Sequence, residues 1–311
     1  MILKTDQELD AEVSKLYEQF SFPNFPINKK EDVNETLIYK LIHTLTKPYL
    51  DDYNNKQLKI LDVGCGTGEL LIGLSNPTWN LLGFDQNVKS IQEANRRANE
   101  FNIPNLQFKC CDINQQELPA NTYDFIYCIG VLHHLSDPQK IFKKLVAATK
   151  PGGYITIGLY NPYGRAQIRV HRQILTILVG NDVNKRIDLA EKLFFRKKLL
   201  PHERVFVADL YAHPREKYHT VEDMLEMFDS NNIKFINSAP PITFTQNKKL
   251  FQQIIHDITT KQFRTVVNSW QKTVAQESNI KADPLQTHLI QFFWTFLSMG
   301  QMVNMIGKKM S

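Results

Sequence analysis

A chain of 311 residues, 42% hydrophobic and 22% charged, is long enough to bury a sizeable core and too apolar for wholesale disorder. Its 37 Lys and Arg against 32 Asp and Glu leave a formal charge of +5, which permits an acidic partner without demanding one. No apolar run reaches the roughly 20 residues of a membrane span, the first residues lack the pattern of a signal peptide, and Cys65, Cys110, Cys111 and Cys128 form no secreted framework. The expectation is a cytoplasmic protein with reduced thiols.

Residues 1–57 read as a helical extension. Leu9, Val13, Leu16 and Phe20 recur near helical spacing, the aromatic-proline segment Phe22 to Pro26 breaks the pattern, and Leu37, Ile38, Leu41, Ile42 and Leu45 mark a second helix over Glu35 to Leu45. Tyr17, Phe20, Phe22 and Phe25 either face a cleft or anchor the extension to the core.

From 58 to 160 the pattern alternates strand and helix. Strands are expected over Lys59–Val63, Asn80–Phe84, Leu106–Cys110, Tyr123–Ile129 and Gly153–Leu159, with helices around Glu69–Leu74, Val88–Asn102 and Pro138–Thr149. That order calls for a doubly wound, mostly parallel α/β sheet with ligand clefts at the carboxyl ends of its strands.

Residues 161–219 form a basic, helical insertion carrying Arg165, Arg169, Arg172, Lys185, Arg186, Lys192, Arg196, Lys197, Lys198 and Arg204. It serves either as a docking face or as a solvated helix surface. Residues 220–311 complete the sheet. Thr220 caps a helix, Ile233–Ile236 reads as a strand, and 248–297 is helical through Phe251, Ile254, Ile255, Ile258, Leu289, Phe292 and Phe293. Residues 301–309 read as a last edge strand or a frayed helix.

The chemistry concentrates at strand ends. Lys59 to Leu70 reads K-I-L-D-V-G-C-G-T-G-E-L, a buried strand, a turn with Gly64, Gly66 and Gly68 at alternate positions, and a helix start. Such a turn lets a ligand approach the backbone and offers free N–H groups to an anionic part of it. Alternatively it only tightens the strand–helix join. Asp85 ends the second strand 21 positions past Gly64, where a carboxylate accepts from both hydroxyls of a ribose, caps the next helix, or does both. Asp112 ends the third strand. The fourth ends in G-V-L-H-H, Gly130 to His134.

Taken together over Lys59 to Leu159, these elements resemble the class I S-adenosylmethionine-dependent methyltransferases, with a motif IV of the small-molecule type. The resemblance implies a Rossmann-like, mostly parallel seven-stranded sheet whose last strand is antiparallel, with 301–309 its candidate. It implies S-adenosylmethionine as cofactor, held by Asp62, Gly64, Cys65, Gly66 and Gly68, by Asp85 and Gln86, by Asp112 and Ile113 at the adenine, and by Cys128 near the sulfonium. A solvated turn acid is the competing role for Asp112. His133 or His134 is a candidate base for the nucleophile or a structural histidine bonding a loop carbonyl. Tyr211 and His213, in the insertion after the fifth strand, are candidates for the substrate side or for surface packing.

Several patterns are missing. The fourth strand lacks the D/N-P-P-Y/F of amino-directed DNA enzymes, Asn161-Pro162-Tyr163 follows the fifth strand instead, and no Pro-Cys occurs. The two histidines have no further His or Cys at ligand spacing, so no metal is expected. The leading expectation is methyl transfer to an oxygen, nitrogen or carbon of a small molecule. A protein or RNA substrate, or a module that binds the cofactor without turnover, are the alternatives.

Overall fold

A computed structural model describes residues 5–20, 26–51, 57–242, 284–297 and 300–311. Phe22, Phe25 and the expected helical stretch with Phe251, Ile254, Ile255 and Ile258 lie outside the described residues.

In chain order the elements are α1 (Asp6–Gln19), α2 (Leu37–Asp51), β1 (Lys59–Val63), α3 (Glu69–Leu74), β2 (Asn80–Asp85), α4 (Val88–Glu100), β3 (Leu106–Cys110), β4 (Tyr123–Ile129), α5 (Pro138–Ala148) and β5 (Thr149–Tyr160). Then follow α6 (Ala166–Val179), α7 (Val183–Ala190), α8 (Pro201–Ala212), α9 (Val221–Asp229), β6 (Ile233–Ala239), α10 (Pro284–Leu297) and β7 (Met302–Lys309). Local chemistry explains several starts. Thr5 and Glu8 form a capping box at α1, Asp137 caps α5 with Pro138 in its first turn, and Thr220 with Asp223 boxes α9.

The seven strands form one sheet in the order β3-β2-β1-β4-β5-β7-β6. All run parallel except β7, which is antiparallel to both β5 and β6. The segment expected at the edge is therefore interior. Val303, Asn304, Met305 and Ile306 are all buried, as a strand between two neighbours and under helices on both faces requires, and β6 takes the edge. One face packs on α5, α9 and α10 through Phe142, Met224, Phe228 and Trp294, the other on α2, α3 and α4 through Ile42, Leu71 and Ile91. A smaller core joins α6, α7 and α8 through Leu175, Ile187 and Val207, and Leu16 of α1 packs into it.

The basic segment is less exposed than its composition implies. Arg165 and Arg172 both pair with the buried Glu216, and Arg186 donates to the carbonyls of Gly180 and Tyr211. Arg204 pairs with Asp188 and Glu191. These four guanidinium groups hold the insertion together.

Candidate active site

The turn after β1 is fixed by its neighbours. The Gly64 and Cys65 N–H groups donate to the Phe84 carbonyl at 2.7 and 2.9 Å. The Gly66 N–H donates to Asp85 Oδ2 at 3.0 Å, and the Asn87 N–H to Asp85 Oδ1 at 2.8 Å. Asp85 thus ties the turn to the end of β2, and the helix cap is Asn87, whose Oδ1 accepts from the Ser90 N–H. Gly64 has φ +74°, and a Cβ there would come within 2.1 Å of a Val131 methyl. Gly68 has φ +86°, and a Cβ would strike the Phe108 ring at 2.6 Å. At these two positions the missing side chain makes room for protein, packing the turn against β4's end and against β3.

Beneath the turn lies a buried ion pair that sequence reasoning missed. Arg97 donates to Glu69 at 2.9 Å and to the Thr67 carbonyl at 3.1 Å, and the Thr67 hydroxyl donates to Glu69 at 2.5 Å. The visible signal was only a Glu opening α3 and an Arg on α4's inner face. Asp62 is also buried, and burial above all, then the charges of Asp85 and Glu69, pushes its carboxyl up to about 8.

A cavity of about 660 Å³ starts at this turn, within the range of small-molecule sites. Asp62, Gly64, Cys65, Asp85, Gln86, Asp112 and Ile113 all line it, together with Glu69 and Asn87. Asp112 Oδ1 accepts from the Asn114 backbone and side-chain N–H groups, both at 2.9 Å, which keeps the β3 end folded toward the cavity. Cys128 does not line it. Its side chain is fully buried in the core on the α5 face.

The cavity continues past Gly130 and Val131 to His134, Tyr160, Arg165 and Asp209, with Tyr17 of α1 opposite. Asp209, on α8, accepts from the Tyr17 hydroxyl and from the Tyr160 hydroxyl, each at 3.0 Å. Arg165 is 2% exposed, and its guanidinium carbon lies 3.7 Å from the centre of the Tyr160 ring. Asp209 and Tyr160 were not singled out from the sequence, and Arg165 was named only as one of the basic residues of the insertion. The available hint was one acid in the apolar run Val205 to Ala212.

The histidines sit behind this wall. His134 reaches the cavity. His133 and His213 are buried beside it, stacked on Tyr160 at 3.8 Å and on His134 at 3.7 Å. His134 Nδ1 lies 2.8 Å from the Arg215 carbonyl and so carries a proton, leaving Nε2 to accept from His133 Nε2 at 3.0 Å. Burial drives all three below the ordinary histidine range, His134 to about 4. These rings resist protonation, which makes them poor proton acceptors. Tyr211 points the other way, into the α6–α8 core, with its hydroxyl 3.1 Å from His171 Nδ1.

Among the described residues, His134, Asp209 and His213 bring potential metal-ligand atoms within 4.8 Å of one another. The Arg215 N–H donates to His213 Nδ1 at 3.2 Å, so the neutral ring keeps its proton on Nε2, the atom a metal would need bare.

A family model described as a methyltransferase domain matches residues 54–193. An uncharacterised protein of Synechococcus is 28% identical over 57% of this chain and 48% of its own length. A ubiquinone biosynthesis O-methyltransferase of Coxiella burnetii is 33% identical over 33% of this chain and 43% of its own. The chain thus spans less than half the length of these curated relatives. The crystal structure of magnesium protoporphyrin IX methyltransferase from Synechocystis with bound S-adenosylhomocysteine shares the fold. Its TM-score is 0.52 at 12% identity, covering 98% of this chain and 97% of that one.

Proposed function

Residues 54–193 belong to the class I S-adenosylmethionine-dependent methyltransferases, and from that premise we propose that the chain methylates a small molecule bound between the end of β5 and helices α1, α2 and α8. One observation carries the reading: a single cavity joins the Gly64–Asp85–Asp112 wall to the Tyr160–Arg165–Asp209 wall. The residues on the first wall fit the cofactor. Asp85 lines the cavity and each of its carboxylate oxygens accepts one backbone hydrogen bond, so lone pairs remain for ribose hydroxyls. Asp62 offers a carboxyl to an ammonium group, and Asp112 with Ile113 an edge and a face for adenine. When bound, S-adenosylmethionine supplies a methyl carbon on a sulfonium, open to in-line displacement by a nucleophile.

The chain's own residues then position and deprotonate the acceptor. Helices α1 and α8 exclude water from the second wall. Asp209 is the group suited to take the proton that a hydroxyl or amine releases, passed through the Tyr160 hydroxyl that already donates to it. His134 stays neutral and contributes shape and a hydrogen-bonding edge. His133 and His213 act as packing that holds Tyr160 and His134 in place. Arg165 and the α8 residues Phe206, Asp209 and Leu210 form the acceptor-side wall, and α1 and α2 cover the cavity through Val13, Tyr17, Leu37 and Leu41. The O-methyltransferase named among the relatives favours an oxygen nucleophile.

The test needs two variants. Asp85→Ala should weaken S-adenosylmethionine binding by a charge-assisted interaction of about 1.5–3 kcal/mol, roughly 10- to 150-fold, by calorimetry. Asp209→Asn should leave that affinity near wild type and abolish release of S-adenosylhomocysteine in the presence of a metabolite extract. Unchanged binding in the first variant would put the ribose elsewhere. Unchanged turnover in the second would remove Asp209 from the reaction.

A further inference from the structure

The acceptor-side lobe is apolar over most of its wall, with Leu37, Ile38 and Leu41 from α2, Phe206 and Leu210 from α8, and Met302 from β7. One buried polar atom breaks that surface. Asn304, in the middle of β7, has no exposed surface, and strand alternation puts its side chain on the α2 face with Ile306, two residues on, while Val303 and Met305 face the other way. It stands in register with Gly158 on β5 and Ala239 on β6, and Gly158 stands in register with Ile129 on β4. The row Ile129–Gly158–Asn304–Ala239 thus crosses four strands beside the end of motif IV.

The orientation of the Asn304 amide is set. Its Nδ2 donates to the Ala239 carbonyl at 3.3 Å, a partner that can only accept, so Oδ1 must point the other way. Oδ1 lies over Gly158, where an added Cβ would come within 2.4 Å of it and within 2.9 Å of an Ile129 methyl. The glycine leaves the space the amide needs. Among the described residues Oδ1 has no hydrogen-bond partner, although it is buried and Asn304 lines the cavity. An unsatisfied buried carbonyl oxygen in an apolar wall costs about 1–3 kcal/mol, a cost that a ligand N–H or O–H would remove on displacing the flexible Met302 thioether, whose sulfur lies over the same glycine.

We propose that Asn304 Oδ1 is a specificity-determining acceptor that selects methyl acceptors with an apolar body and one neutral N–H or O–H donor directed at that oxygen. This rests on the acceptor reading of the lobe and narrows it. An anionic group is disfavoured at this point, because Oδ1 offers only lone pairs. Met302, in register with Tyr160 on the same face, separates this donor site from the Tyr160–Asp209 pair, so the anchored donor and the methylated atom are different groups of one molecule.

Indole and benzofuran test this as matched probes, equal in shape and differing in the N–H. Both are titrated by NMR into the full chain saturated with S-adenosylhomocysteine. Indole should bind wild type about 3- to 10-fold more tightly than benzofuran, the worth of one neutral hydrogen bond. In Asn304→Leu that preference should vanish, with benzofuran and S-adenosylhomocysteine affinities within about twofold of wild type. In wild type the Asn304 side-chain amide resonances should shift with saturating indole and not with benzofuran, a readout that stands even if the variant fails to fold. An equal preference in both proteins, entry of neither probe, or an unmoved Asn304 amide would overturn the assignment. Failure to bind S-adenosylhomocysteine would instead overturn the cofactor reading before either probe is added.

Discussion

Asp62 carries the clearest pH signature. Its carboxyl, pushed up to about 8 chiefly by burial, holds a proton at neutral pH in the ligand-free protein. An ammonium group brought beside it favours the charged form, so cofactor binding at pH 7 releases that proton. Affinity for S-adenosylhomocysteine should therefore rise with pH, by at most about tenfold per unit, and level off above about 8. Asp62→Asn should bind with no such slope. Calorimetry at several pH values, in buffers of different ionisation enthalpy, reads both the slope and the proton, and a flat wild-type profile would detach Asp62 from the cofactor. The same shift has a stability consequence. A folded value above the ordinary 3.8 means this group's contribution is present below about pH 4 and lost as pH rises toward 8. The ligand-free Asn variant should thus gain melting temperature over wild type at pH 8 and not at pH 4.

Helix α1 joins the two halves of the cavity through a few polar contacts. Asn87 Nδ2 donates to the Tyr17 carbonyl at 2.5 Å and Lys89 Nζ to the Glu18 carbonyl at 2.8 Å, on the cofactor side. On the acceptor side Tyr17 holds Asp209, and Arg215 pairs with Asp6 and Asp10. Val13 and Leu16 are its buried apolar residues, so these polar ties carry much of its docking. Arg215→Ala should speed amide exchange across 6–19 while leaving β4 and β5 protected, and S-adenosylhomocysteine should restore part of the protection. Exchange that stays at the wild-type rate would mean that packing alone holds the helix. The core elements were legible because each has a local cause. The glycine turn, the acids at strand ends and the Asp137-Pro138 start are written in consecutive residues. The interior place of β7 was not, since its pairing with β5 joins residues more than a hundred positions apart and its pairing with β6 residues more than sixty apart. Helical phase explains the acceptor side. In α8, Phe206, Asp209 and Leu210 reach the cavity, whereas Tyr211 falls with Val207 on the neighbouring face that packs into the α6–α8 core, with Leu210 at the border of the two. The sequence offered Tyr211 and His213 from this segment, and it could not say which residues of α8 would turn toward the cavity.

At the scale of the whole molecule the question is what the +5 charge serves. A nucleic-acid track needs a row of cations free to neutralise phosphates. Arg165, Arg172, Arg186 and Arg204 have donors committed to Glu216, to backbone carbonyls, and to Asp188 and Glu191. Lys197 is paired with Glu203 and Lys185 with Asp182, Arg169 lies over the Tyr218 ring, and Lys192, Arg196 and Lys198 remain exposed near the α7–α8 join. Three such cations give a short patch on the outside of the insertion, and the cavity wall they would have to serve is formed by the inner face of α8. Withdrawing the four arginines from their partners would leave Glu216 buried without a counter-charge, a cost of several kcal/mol that RNA contacts would have to exceed. An unrelated RNA of about 20 nucleotides should therefore show no retention in a gel shift at about 50 mM salt with micromolar protein. Retention at that salt that disappears by about 200 mM would reveal a working phosphate track and return RNA to the substrate question.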